Sequence, residues 1–237
     1  MNLHQRAHQL LASRGYQVRK HPGLHRQQRL ISHQVDLVLD VGAAVGAYAK
    51  ELRRFGYEGR IVSFEPLSAA FAMLRTASKS DPLWVAVNSA LGDEDRETEI
   101  NVAGNSDSSS LLPMLEAHRG VAPHANYVGV ETIRVQRLDD AAGAEVRAAK
   151  RPFLKIDTQG FERDVLLGAK DSLPQVVGIE MELSFVPLYE GSMLADEAIS
   201  HLYSLGFSLD GMEPGLRHPG TGQLLQADGL FFRQDDV

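Results

Sequence analysis

Residues 36–66, DLVLDVGAAVGAYAKELRRFGYEGRIVSFEP, constrain the fold more tightly than any other stretch. The apolar run Leu37 to Val41 reads as a strand buried on both faces, Gly42 and Gly46 mark a turn, and Gly46 to Phe55 carries helical spacing. Arg60 to Glu65 then forms a second apolar run. Strand, short turn, helix and strand within about thirty residues make one right-handed crossover between parallel strands. The rhythm continues through a helix at Ser68 to Ser78 and a strand at Trp84 to Ala90, which predicts an α/β chain with helices on both faces of a mostly parallel sheet. It then breaks. Glu97 to Val102 and Glu131 to Gln136 read as extra strands around an insertion of about residues 104–130, and AAGAEVRAAK after them reads as helical. Core strands resume at Phe153 to Ile156 and at VVGIEMEL, with helices near Gly160 to Ala169 and Ala195 to Leu205, before two closing strands at FSLDGM and DGLFFR.

With 237 residues, 43% of them hydrophobic, the chain has material for one sizeable core, so residues 36–237 are expected to form a single domain. Residues 1–35 differ. They hold six of the 24 lysines and arginines (Arg6, Arg14, Arg19, Lys20, Arg26, Arg29), five of the nine histidines and no acid. Leu3, Leu10 and Leu11 suggest that this basic arm starts with a short amphipathic helix covering a sheet edge or a site mouth. His4 and His8 lie one helical turn apart but lack a third ligand, so they read as surface histidines and no metal site is predicted. A net charge of −7 disfavours a nucleic-acid partner. Zero cysteines remove disulfides, thiolate metal sites and a cysteine nucleophile together. No apolar stretch near the N-terminus is long enough for a signal peptide or a membrane span, and a cytoplasmic protein is expected. Peripheral contact with a lipid-linked acceptor and homo-oligomerisation both stay open.

In an open parallel sheet, ligands bind beyond the carboxyl ends of the strands. The informative residues are therefore Asp40, Gly42 and Gly46 after the first strand, Glu65 and Pro66 after the second, Asp157 after the resumed strand, and Glu180 or Glu182 on the next. A dinucleotide turn asks for G-x-G-x-x-G so that backbone amides reach a pyrophosphate, and here Ala44 and Ala47 stand where the later glycines belong. No Gly-Lys-Ser/Thr follows, which excludes a P-loop. Acid-x-Gly-x-x-x-Gly suits a ligand with an amino group and no phosphate, as in S-adenosylmethionine. Glu65 is placed to accept hydrogen bonds from two ribose hydroxyls, a role that NAD would use equally.

The ordered blocks DVGAAVGAYA, GRIVSFEP, VNSALGD, SDSSSLLPM, VQRLDD, FLKIDTQGFERDVLLGA, ELSFVPLYEG and LLQADGLFFR resemble those of the FkbM-type S-adenosylmethionine-dependent methyltransferases over roughly residues 36–233. That resemblance implies the class I methyltransferase fold, a Rossmann-like seven-stranded sheet whose last strand is antiparallel. It implies S-adenosylmethionine as cosubstrate, with Ala90 and Leu91 of VNSALGD beside it. It further implies O-methylation of a small-molecule or glycan acceptor, often a sugar hydroxyl of a glycolipid, an oligosaccharide or a glycosylated natural product. One departure is Ala44, where the family commonly has Asn.

Methyl transfer from a sulfonium is an in-line displacement, so alignment and exclusion of water come first and a base for the acceptor hydroxyl second. Asp157 in KIDTQGFE is the first candidate base; capping the next helix or binding the cosubstrate's amino group is its alternative. Glu162 stands second. His118 ranks third, as a general base if the 104–130 insertion folds over the site as a lid. Ser109 and Ser110 in that insertion, and Glu182 on its strand, are candidate acceptor contacts; the serines also suit an ordinary turn. Glu180, Glu182 and Asp157 together leave a divalent ion open without predicting one. An NAD-dependent oxidoreductase and a catalytically silent cosubstrate-binding partner protein are the competing functions.

Overall fold

The computed structural model describes residues 3–16 and 21–234. Arg19 and Lys20, and the side chains of Leu3, His4, Arg6 and His8, lie outside the described residues. The strands are β1 (Leu37–Val41), β2 (Arg60–Phe64), β3 (Trp84–Val87), β4 (Ala90–Leu91), β5 (Arg96–Ala103), β6 (Tyr127–Gln136), β7 (Pro152–Ile156), β8 (Gly178–Ser184), β9 (Phe207–Pro214) and β10 (Gln226–Arg233). The helices are α1 (Leu3–Ala12), α2 (Pro22–Ser32), α3 (Ala47–Arg54), α4 (Ser68–Ser78), α5 (Glu116–Val121), α6 (Leu138–Ala141), α7 (Gly143–Ala148), α8 (Glu162–Leu167) and α9 (Ala195–Ser204).

Seven strands form one sheet in the order β3-β2-β1-β7-β8-β10-β9. Within it six strands share one direction and only β10 runs opposite to them. This is the class I methyltransferase topology. Alternation along β1 explains both layers of core: Leu37, Leu39 and Val41 pack under the helices α6 to α9 around Leu138, Val146, Val165 and Leu202, whereas Val38 joins Leu30, Leu52 and Leu74 of α2, α3 and α4 on the opposite face. Strand order reverses between β1 and β7, so the crevice at their carboxyl ends is the switch point of the sheet.

The structure corrects three local expectations. The third strand stops at Val87 instead of Ala90, because the Asn88 side-chain amide donates to the carbonyls of Glu65 and Pro66 at 2.9 Å each and turns the chain. Ala90 and Leu91 then pair with β6 in a separate sheet, β4-β6-β5. The 104–130 insertion contains α5 and ends early, its last four residues belonging to β6. In the basic arm, Leu10 and Leu11 of α1 are exposed, and the helix whose leucine joins the core is α2. Pro22 at the first turn of α2 and His21 accepting from the Gly23 amide start that helix, and Gly23, Gln27 and Leu30 are its buried stripe. Among the described residues no helix is long and apolar enough to cross a membrane.

Candidate active site

After β1 the backbone enters the left-handed region at Gly42, Ala44 and Gly46. Its amides are spent within the protein: Gly42 and Ala43 donate to the Phe64 carbonyl at 3.1 and 3.0 Å, Ala44 to Glu65 Oε2 at 2.9 Å, and Gly46 to the Ala43 carbonyl at 2.8 Å. A diphosphate would find none of these donors free. The protein's own packing explains the glycines, since a Cβ on Gly42 would stand 1.8 Å from the Asp157 carbonyl oxygen and one on Gly46 2.8 Å from the Trp84 ring.

Over this turn lies a cavity of about 450 Å³. Glu65 and Pro66 line it beyond β2 with Ala90 and Leu91 of β4, and Asp157, Gln159, Glu180, Glu182 and Asp228 line it on the side of β7, β8 and β10. Ser109 of the insertion also lines it, its hydroxyl accepting from the Ala103 amide at 2.9 Å. Glu65 accepts from the Ala44 and Leu67 amides, one oxygen each, and burial pushes its carboxyl up to about 7 against those two bonds. Gln159 orients the opposite side. Its Oε1 accepts from Tyr189 at 2.8 Å, which turns its amide nitrogen toward Asp157 Oδ1 at 2.8 Å and Glu182 Oε2 at 3.0 Å.

Five expected site residues do not line the cavity. Asp40 is fully buried beneath the turn, where its carboxylate accepts from Ser63 at 2.9 Å and faces Lys155 Nζ at 3.4 Å. Gly46 packs on Trp84. Ser110 donates to the Gln159 carbonyl at 2.7 Å and accepts from the Leu112 amide, so its hydroxyl is committed. Glu162 accepts from the amides of Thr158 and Gly160 at 3.0 and 3.1 Å and holds the loop after β7 in shape. His118 is buried edge-on against Tyr189, and burial lowers its basicity.

Sequence reasoning missed three residues that shape the cavity. Lys155, one strand position before Ile156, donates to the Gly42 carbonyl at 2.9 Å and faces Asp157 at 3.5 Å. Burial alone would weaken its hold on the proton, but the carboxylates of Asp157, Asp40 and Glu180 outweigh burial and raise its pKa, so it is a fixed cation and not a base. Arg26 of α2 reaches 154 residues along the chain to clamp Glu180 with two hydrogen bonds of 2.6 Å each, and its third nitrogen meets Glu51 at 2.7 Å. Asp228 on β10 is pushed up to about 7 by burial and then by the Glu180 and Asp157 carboxylates. The chamber is therefore acidic, which favours a ligand carrying positive charge over a diphosphate. Among the described residues no group of three or more histidines, aspartates and glutamates has the arrangement of a metal site.

The Methyltransferase FkbM domain matches residues 40–209. The chain belongs to the FkbM methyltransferase family. It is an S-adenosylmethionine-dependent methyltransferase, and membership sets the nicotinamide reading aside. Among curated relatives, the 2-O-methyltransferase NoeI of Sinorhizobium fredii (strain NBRC 101917 / NGR234) is 24% identical over 177 residues, covering 72% of each chain. Among solved structures, TehB from Haemophilus influenzae is 11% identical at a TM-score of 0.48, over 91% of this chain and 63% of that one. Aeropyrum pernix fibrillarin, crystallised with natively bound S-adenosyl-L-methionine, is 12% identical at a TM-score of 0.46, over 83% of this chain and 66% of that one. The FkbM chain described here thus spans just under two thirds of each of those two structures.

Proposed function

We propose that this enzyme transfers the methyl group to a hydroxyl oxygen of a sugar, and that residues 36–237 act as one catalytic unit capped by α2. The observation that carries the proposal is that Glu65 lines the cavity beyond β2, whereas Asp157, Glu180, Glu182 and Asp228 line it on the side of β7, β8 and β10. Glu65 would take the ribose hydroxyls, with Ala90, Leu91 and Pro66 around the base, and the acidic side would face the methionine ammonium and the acceptor. When bound, S-adenosylmethionine supplies an electrophilic methyl group on a sulfonium. The chain's own part is to align, to exclude water and to receive a proton. Asp157 is the carboxylate we assign to the acceptor hydroxyl, because it lines the cavity with its Oδ1 oriented by Gln159. Name-level similarity to a 2-O-methyltransferase supports oxygen as the methylated atom.

The test is incubation of cell extracts with isotopically labelled methyl donor, followed by mass spectrometry of the product. A methyl ether on a saccharide is expected; a methylated nitrogen or carbon would overturn the proposal. Asp157→Asn is expected to keep donor affinity while turnover falls by about 10²-fold or more. Full turnover in that variant would remove Asp157 from the role.

A further inference from the structure

A second cavity, also about 450 Å³, lies between the start of α2 and the sheet face formed by β8, β10 and β9. It shares Arg26, Glu180 and Asp228 with the first, so these side chains are a wall between the two chambers. We propose that the second cavity is the acceptor subsite, that it takes an uncharged pyranose ring, and that the reacting hydroxyl crosses the shared wall beside Asp228. This inference rests on the sugar O-methylation reading above.

The chemistry of the lining is two-sided. Pro22 and Leu230 offer apolar contact, while His25, Glu213 and Asp228 offer hydrogen-bonding groups. A pyranose presents the matching pair, a C–H face and a rim of hydroxyls. Charge narrows the class further. The guanidinium of Arg26 is committed to Glu180 and Glu51, and the carboxylates of Glu180, Glu213 and Asp228 face the space, so a phosphorylated or carboxylated sugar would meet repulsion and no free arginine. The chamber is built on anchored walls, because Arg29 ties α2 to Asp210 of β9 at 2.7 Å on one side while Arg26 ties it to Glu180 on the other. Asp228 accepts no hydrogen bond from the described residues, and burial pushes its carboxyl up to about 7, which suits it to either partner of a hydroxyl.

The experiment is an NMR titration of the full chain, saturated with S-adenosylhomocysteine, with methyl glucopyranoside, methyl galactopyranoside, methyl rhamnopyranoside and glucose 1-phosphate. At least one methyl glycoside is expected to bind, and more tightly than the phosphate. Gly211→Leu, whose side chain would enter the cavity beside His25, is expected to weaken that binding at least tenfold, and Glu213→Gln, an exposed and structurally mild change, at least threefold. Affinity for S-adenosylhomocysteine should stay within twofold in both. Undiminished glycoside binding in both variants, preference for the phosphate, or no glycoside binding by a chain that does bind S-adenosylhomocysteine would overturn the subsite. A chain that fails to bind S-adenosylhomocysteine at all would overturn the reading of the first cavity, and the subsite with it.

Discussion

Asp40 and Glu65 end neighbouring parallel strands, yet only Glu65 faces the cavity. Asp40 lies within β1, and alternation sends its side chain to the same face as Val38, where Ser63, itself holding the Trp84 indole at 2.9 Å, and Lys155 enclose it. Glu65 lies one residue past its strand, free of that alternation. Sequence order alone gives both acids the same standing, because strand ends are legible to within a residue or two and side-chain direction changes with each residue. Asp40→Ala is accordingly expected to act through the fold: stripping a carboxylate from the buried Lys155 should cost about 3 kcal/mol in denaturant unfolding. Ala44 is a second residue whose meaning needed coordinates. Its φ of 46° is costly for alanine and better tolerated by asparagine. Ala44→Asn should stabilise the chain by about 0.5–1 kcal/mol, raising the thermal midpoint by roughly 1–4 °C in calorimetry.

At the scale of elements, the crossover unit from β1 to β2, the helix α4 and the strand β7 were legible because their apolar spacing is regular and their turns carry glycine or proline. The helix α2 was not. Its buried stripe of Gly23, Gln27 and Leu30 has helical spacing, but only one of the three is a large apolar residue, and its basic residues read as a solvated arm. Those same basic residues are what attach it to the sheet. Arg26 lies over the Tyr48 ring at 4.7 Å and neutralises Glu180, whose other oxygen contact comes from the Tyr48 hydroxyl at 2.8 Å. Arg26→Ala would leave Glu180 buried without its cation, and about 3–5 kcal/mol of stability should be lost, measured by chemical denaturation. Arg26→Lys should recover part of it, as a point charge cannot reproduce the paired hydrogen bonds. Lys155 and Asp228 escaped notice for a related reason: each lies within a strand and not in a turn, and Gly42, Asp40 and Glu180, which meet one or the other, are distant in sequence.

For the molecule as a whole, the acidic chamber couples ionisation to folding and binding. Glu65 and Asp228 have ordinary values of 4.5 and 3.8 and are pushed up to about 7 in the folded chain. Between those limits the folded state holds protons that the unfolded state has released, so stability falls as pH rises through the window. Glu65→Gln should remove its share, on the order of 2 kcal/mol, from the difference between pH 5 and pH 8. If ribose hydroxyls donate to Glu65, as proposed, they favour its ionised form, and donor affinity should increase from pH 6 to pH 8. Net charge and composition indicated which partners to exclude, but not where the charge gathers, since that depends on four strand ends meeting. Isothermal titration of S-adenosylmethionine into the wild-type chain and into Glu65→Ala tests the central claim most directly. One site is expected in the wild type, with affinity reduced roughly a hundredfold in the variant by the loss of two charge-assisted hydrogen bonds. Equal affinity in the two proteins would contradict the account.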